Sequence, residues 1–184
     1  MFFLRQLEHV IGKLSGAFGW LAGWLCIAMI GVVFYDVIVR YVFQDGSIAL
    51  QEMEWHLFAA VFLLGAAYTM REDANVRVDV FYARMHPRKK AIIDIFGTIF
   101  FVMPMCSLIL YSSYDFVAYS YKIKEISGDP GGLPYRFAFN ALLPLGYFLV
   151  LLQSLAVLSR NVRLLAGDTG QGFANKFPRH QEKL

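Results

Sequence analysis

Residues 16–39 read GAFGWLAGWLCIAMIGVVFYDVIV, and the fold is decided there. Asp36 is the only charge in the stretch. At 1.5 Å of rise per residue, a helix over it reaches about 36 Å, enough to cross a hydrocarbon core about 30 Å thick. Trp20 and Trp24 stand near its start, and Tyr35 and Tyr41 mark its far end, as aromatic belts do at membrane interfaces. A backbone in lipid has no water to bond, so such a segment crosses as a helix.

Three more spans follow, over about 48–70, 91–119 and 137–158. The second opens with Glu52, Glu54 and His56, so only Leu57–Met70 is cleanly apolar. Its polar first turns have to face other helices or headgroups. Pro104 lies inside the third span and Pro144 inside the fourth, each expected to kink its helix. The whole chain has 184 residues, 58% apolar and 17% charged, against about a quarter charged in a soluble domain. The deficit is concentrated in these four stretches.

Ahead of the first span, Phe3, Leu7, Val10, Ile11 and Leu14 recur at helical spacing between Arg5, Glu8, His9 and Lys13. This pattern predicts a short N-terminal amphipathic helix in the membrane interface. The first apolar stretch is too long for a signal-peptide core and lacks a small-x-small site after it, so no cleavable leader is expected. The expectation is an all-α integral membrane protein with four transmembrane helices over 1–160 and a partly disordered tail over 161–184.

Lys and Arg settle the expected orientation. With four spans, thirteen of them share the side of the two ends and four lie opposite: Arg40, Lys122, Lys124 and Arg136. By the positive-inside rule both ends are cytoplasmic. Cys26 and Cys106 each fall inside an apolar stretch and read as small core residues, with no disulfide or metal role expected.

Few constellations carry chemistry. Arg40 closes the first span while Glu52 and Glu54 open the second, so Arg40 either pairs with one of them across the helices or all three reach the outer headgroups. Glu52 and His56 share a helical face, an incomplete set for a metal or proton relay. Asp36, Asp94 and Asp115 lie near span ends, whereas coupling-ion sites sit near the midplane on broken helices. Residues 75–90, NVRVDVFYARMHPRKK, alternate Val76, Val78 and Val80 with Arg77 and Asp79 in a strand-like rhythm. On the outer side, Asp129-Pro130-Gly131-Gly132 predicts a tight turn capping the last two helices.

In their order along the chain these segments resemble the DctQ-type small membrane subunit of tripartite ATP-independent periplasmic (TRAP) transporters. The resemblance rests on Val39-Arg40-Tyr41-Val42-Phe43, Gln51-Glu52-Met53-Glu54-Trp55, Leu64-Gly65-Ala66-Ala67-Tyr68 and Val76-Arg77-Val78-Asp79. Asp129-Pro130-Gly131-Gly132-Leu133-Pro134 is similar to the outer loop of one subgroup. Asn75 stands where the family's loop motif often has His, so no role of that imidazole carries over.

The resemblance implies a bacterial inner-membrane helper subunit with no catalytic site and no cofactor of its own. Its partners would be a large membrane subunit, which carries sodium and an organic anion inward, and a substrate-loaded periplasmic binding protein. It implies no nucleic-acid partner. Arg40, Glu52, Glu54, Trp55, Arg77, Asp79, Asp129, Gly131 and Gly132 are the structural or interface candidates. Gly23, Gly31, Gly65, Gly97 and Gly146 are expected to let helices approach closely, either within this chain or against the large subunit.

The rival readings are a respiratory or quinone-linked membrane anchor and a small multidrug exporter. Haem ligation needs two facing histidines within the spans, and only His56 lies in one. An exporter needs an intramembrane carboxylate deeper than Glu52 or Glu54. No Gly-rich phosphate loop or nucleophile–base pattern points to an enzyme.

Overall fold

The computed structural model describes residues 2–75 and 85–167. Arg77, Asp79, the alternating stretch around them and most of the expected tail lie outside the described residues. Helix α1 covers Phe2–Val42 and α2 covers Ile48–Arg71. Helix α3, Pro87–Gly97, runs through a π-helical turn at Thr98–Val102 into α4, Met103–Lys122. A short α5, Arg136–Asn140, precedes α6, Leu142–Leu165. Among the described residues, four helical stretches are long and apolar enough to cross a membrane: Leu4–Val42, Ile48–Arg71, Pro87–Lys122 and Arg136–Leu165. The four expected spans fall inside them.

Residues 2–14 do not form a helix of their own. They are the first turns of α1, which runs unbroken into the span. Extending a helix adds a hydrogen bond per residue, whereas starting a second one would require a new nucleus. Ile11 and Ser15 are buried, and the Ser15 hydroxyl donates to Gln153 Oε1 on α6 at 2.8 Å. Glu8 pairs with Arg163 of α6. One face of this segment is therefore turned toward the bundle.

Both intramembrane prolines interrupt their helices, each one turn upstream. Proline has no N–H to donate, and its ring crowds the carbonyl four residues back. For Pro104 that carbonyl belongs to Phe100, inside the π-helical turn. For Pro144 it belongs to Asn140, the last residue of α5, where the chain breaks at Ala141 before α6.

Helix α6 packs against α1, α2, α3 and α4 and is the hub of the bundle. Ala22, Leu64, Ala67 and Leu149 form its core contact with α1 and α2, flanked by Phe18, Leu25 and Val150. The other buried positions are mostly small or hydroxylic, including Ala60, Ala91, Ser113, Ser154 and Ala156. Between helices in lipid, close approach and van der Waals packing replace the hydrophobic drive of water, so small residues line the seams.

Of the five glycines expected to admit a neighbouring helix, Gly146 and Gly65 do so within this chain. A Cβ on Gly146 would stand 2.7 Å from Leu63 Cβ and 3.0 Å from the Leu63 carbonyl oxygen, and one on Gly65 would make ordinary contact with Ala22. Gly23, Gly31 and Gly97 have nothing within 4 Å. The tightest α1–α2 approach is at Gly16 and Gly19, which sequence reasoning missed. Gly146→Ala should cost about 1–3 kcal/mol of bundle stability, because the backbone of α2 cannot yield as a side chain could. Gly23→Ala should leave stability within about 0.5 kcal/mol. Reversible unfolding of both variants in one detergent checks the contrast, and equal losses would remove it.

Candidate functional site

At the end of the bundle away from the start of α1 and the end of α6, residues 123–135 form a small cap between α4 and α5. It begins as helix α4 closes. Lys124 takes a left-handed conformation (φ 49°), its N–H donates to Tyr121 O at 3.1 Å, and the Glu125 N–H donates to Ser120 O at 3.0 Å. These paired bonds satisfy carbonyls that the helix end leaves open. The Glu125 carboxylate then accepts from the Ser120 hydroxyl at 2.6 Å and from Asn140 Nδ2 of α5 at 3.1 Å. Arg136 Nε lies 3.7 Å from its other oxygen. One carboxylate thus ties the end of α4 to the whole of the short α5.

The cap then folds back on itself. Ser127 N–H donates to Leu133 O at 3.2 Å, and Gly132 N–H donates to Asp129 O at 3.0 Å. Pro130 and Gly131 occupy the middle of that turn, with Gly131 at φ +84°. This is a type II turn, in which proline presets the first central residue and the second needs positive φ. The Asp129 N–H also donates to Ser127 Oγ at 3.2 Å. The tight turn expected from the sequence is present at the expected residues.

Glu52, in the second turn of α2, closes the structure. It is 5% exposed. Its Oε1 accepts from the Ser127 hydroxyl, and its Oε2 accepts from the Leu133 N–H at 2.6 Å. Both arms of the cap therefore hang on one carboxylate from a helix about eighty residues earlier in the chain. A Cβ on Gly132 would sit 2.5 Å from Ser127 Cβ and 2.8 Å from Glu52 Oε2, so only glycine lets the turn lie against the carboxylate. Bonds to an ionised acceptor are roughly twice as strong as neutral ones.

His56 points its Nδ1 at the Glu52 carbonyl oxygen, 2.5 Å away, and a carbonyl only accepts, so Nδ1 carries the proton. Its ring packs on Phe139 of α5 with centroids 4.1 Å apart. Trp55 is 54% exposed beside it. With Ile48, Gln51, Glu52 and Asp129 it lines a shallow hollow of about 270 Å³. Glu52, Trp55, Asp129, Gly131 and Gly132 are thus brought together at this end.

Arg40 is not part of that group. It pairs with Asp36, one turn back on α1, whose side chain is almost wholly buried. Glu52 is taken by the cap, and Glu54 is half-buried with no hydrogen bond or ion pair to a described residue. The cross-helix pairing considered for Arg40 loses to a partner on its own helix, four residues away and held there by the helix itself. A double-mutant cycle should give about 1 kcal/mol of coupling between Arg40 and Asp36 and none between Arg40 and Glu52. Coupling in the second cycle would restore the cross-helix pair.

Residues 29–164 match the family model described as tripartite ATP-independent periplasmic transporters, DctQ component. A Haemophilus influenzae protein assigned as a TRAP transporter small permease is 31% identical over 137 residues, covering 72% of this chain and 80% of that protein. No solved structure matches. The family match over most of the chain makes it a transporter permease subunit and not an enzyme. The chain belongs to the DctQ family, the small permease subunits of TRAP transporters.

Proposed function

We propose that this subunit is a static scaffold of the bacterial inner membrane. It packs beside a large membrane subunit that moves an organic anion inward with sodium. Both of its ends face the cytoplasm, and the Glu52-anchored cap faces the periplasm, where it helps receive the substrate-loaded binding protein. The observation that carries this reading is the family match over 29–164. The thirteen-to-four split of Lys and Arg supports the orientation.

The surface available to a large partner is broad and apolar. Ile27, Ile30 and Phe34 of α1 stand exposed near the open Gly23 and Gly31, and Phe100, Phe101 and Leu108 stand exposed on the third span. Open glycines on an apolar helix face permit another helix to approach closely. Purifying the tagged chain in mild detergent from its native host tests the scaffold reading. A multi-span membrane protein should co-purify in fixed proportion, and isolation of the chain alone would overturn the reading. Within that complex, Gly23→Leu with Gly31→Leu should weaken co-purification without altering the fold of this chain.

The cap has its own test. Gly132→Ala should lower uptake while leaving the complex intact, and Gly128→Ala, where a Cβ meets nothing within 4 Å, should not. Unchanged uptake in Gly132→Ala, with the turn shown to be displaced, would separate the cap from binding-protein reception.

A further inference from the structure

Toward the end that leads into the cap, α4 has two faces of different chemistry. Cys106, Ser113 and Ser120 recur every seven residues and are buried, so that stripe lies against the bundle. Asp115 is set about 200° round the helix from Ser113, on the opposite side, and is exposed. Tyr111, Ser112 and Tyr119 stand one turn from it on the same side and are exposed as well. None of these four side chains has a hydrogen bond or ion pair with a described residue.

Contacts near the cap show how deep this face lies. Ser120 Oγ accepts from Asn140 Nδ2 at 3.0 Å, and Gly146, further along α6, lies against Leu63 of α2. Asp115 is about 7 Å of helix below Ser120, and Gly146 is about 9 Å below Asn140. Asp115 therefore lies near the level of Gly146 and Leu63, and Leu63 is in the middle of the apolar run Leu57–Met70. The sequence set Asp115 near the end of its span, and the contacts set it deeper, among the acyl chains. Lys122, the next base along α4, is about 10 Å further on and out of reach.

A carboxylate that faces acyl chains is costly, and ionisable groups inside spans are found paired or against a polar cavity. Tyrosine belts sit at headgroup level, whereas Tyr111 is one turn deeper than Asp115. Every described Lys and Arg of this chain stands toward an end of its helical stretch, so a second copy offers no base at this depth. Lipid offers none there either, since its charges are confined to the headgroups. What the face lacks is a positively charged donor carried on another membrane helix.

We infer that the face of α4 formed by Tyr111, Ser112, Asp115 and Tyr119 docks the large membrane subunit, one of whose helices brings an Arg or Lys to Asp115. The inference rests on the proposal that this chain packs beside such a subunit, and it adds where the contact is made and by what chemistry.

The test uses the tagged full chain expressed with its large subunit in the native host. With p-benzoylphenylalanine in place of Tyr111, illumination should join this chain to the large subunit. Asp115→Leu should lower the yield of co-purified large subunit about tenfold, as loss of a bond to a charged group does, and Asp115→Glu should keep most of it. Alone in detergent, Asp115→Leu should unfold no more easily than the wild type, because Asp115 bonds to no described residue of its own chain. If that variant fails to fold, the crosslink, made with Asp115 in place, still decides. A wild-type chain that purifies with no multi-span partner overturns the scaffold reading and this inference together. A wild-type complex that forms, with its yield unchanged in a folded Asp115→Leu, overturns the inference alone. Adducts from position 111 only with lipid, or with a second copy of this chain, do the same.

Discussion

Glu52→Ala is expected to release the cap from the bundle without unfolding the helices. The substitution removes both acceptors for the Ser127 hydroxyl and the Leu133 N–H. What remains of the cap is the Ser127–Leu133 backbone bond, the Asp129–Gly132 turn and the Glu125 cluster at its root. Two bonds to an ionised group are lost together, and the half-buried partners on the other side gain none within the protein in exchange. Amide hydrogen exchange at Leu133 should accelerate by about a hundredfold, with exchange in the middle of α2 and α6 unchanged. Glu52→Gln keeps one acceptor oxygen at lower strength and should fall between. If the cap faces the binding protein, uptake drops in the same order at constant complex yield. Slow exchange at Leu133 in Glu52→Ala would show that the turn holds itself and that the carboxylate only rests against it.

The second large effect is at the seam between α1 and α2. A Cβ on Gly19 would stand 2.5 Å from Tyr68 Cδ2 and 2.7 Å from Tyr68 Cβ, the fixed end of that side chain. One turn away, Arg71 lies over Gly16 and its guanidinium carbon sits 6.0 Å from the Tyr68 ring centroid. The aromatic ring and the guanidinium thus lie in a trough that glycines at 16 and 19 leave in α1. Gly19→Ala should destabilise the bundle by about 1–3 kcal/mol, and Gly19→Leu should prevent α1 from docking at this end. Tyr68→Ala should cost stability by itself, yet combined with Gly19→Ala it should recover much of the loss, because the obstruction is gone. Additive losses in that pair would mean that α1 and α2 shift apart freely and that the trough is not tight.

How far the sequence reaches is clear from particular elements. The four spans, the proline interruptions and the Asp129–Gly132 turn were legible because each follows from local rules: length of apolar run, a missing N–H, a required positive φ. Pro87 opens the third helix, where proline at the first helical position loses no bond. Arg40 was misread because two kinds of partner were within reach. The acid on its own helix was passed over for the acids across the loop.

Gly132 and Glu52 show the other limit. Each was singled out from its motif, but nothing local says that one lies against the other. Gly16 and Gly19 were overlooked because a glycine facing a neighbouring helix and a glycine facing lipid look alike in a single apolar stretch. In a soluble protein the apolar stripe of a helix marks its buried face. In a bilayer both faces are apolar, so composition determines that a helix crosses but not which way it turns. The sequence by itself therefore determined that this chain is a four-span membrane protein with a turn at one end. Only the tertiary structure decided that a carboxylate of the second helix holds that turn, and that Asp115 is turned away from the bundle. Both are set by how the helices rotate against one another.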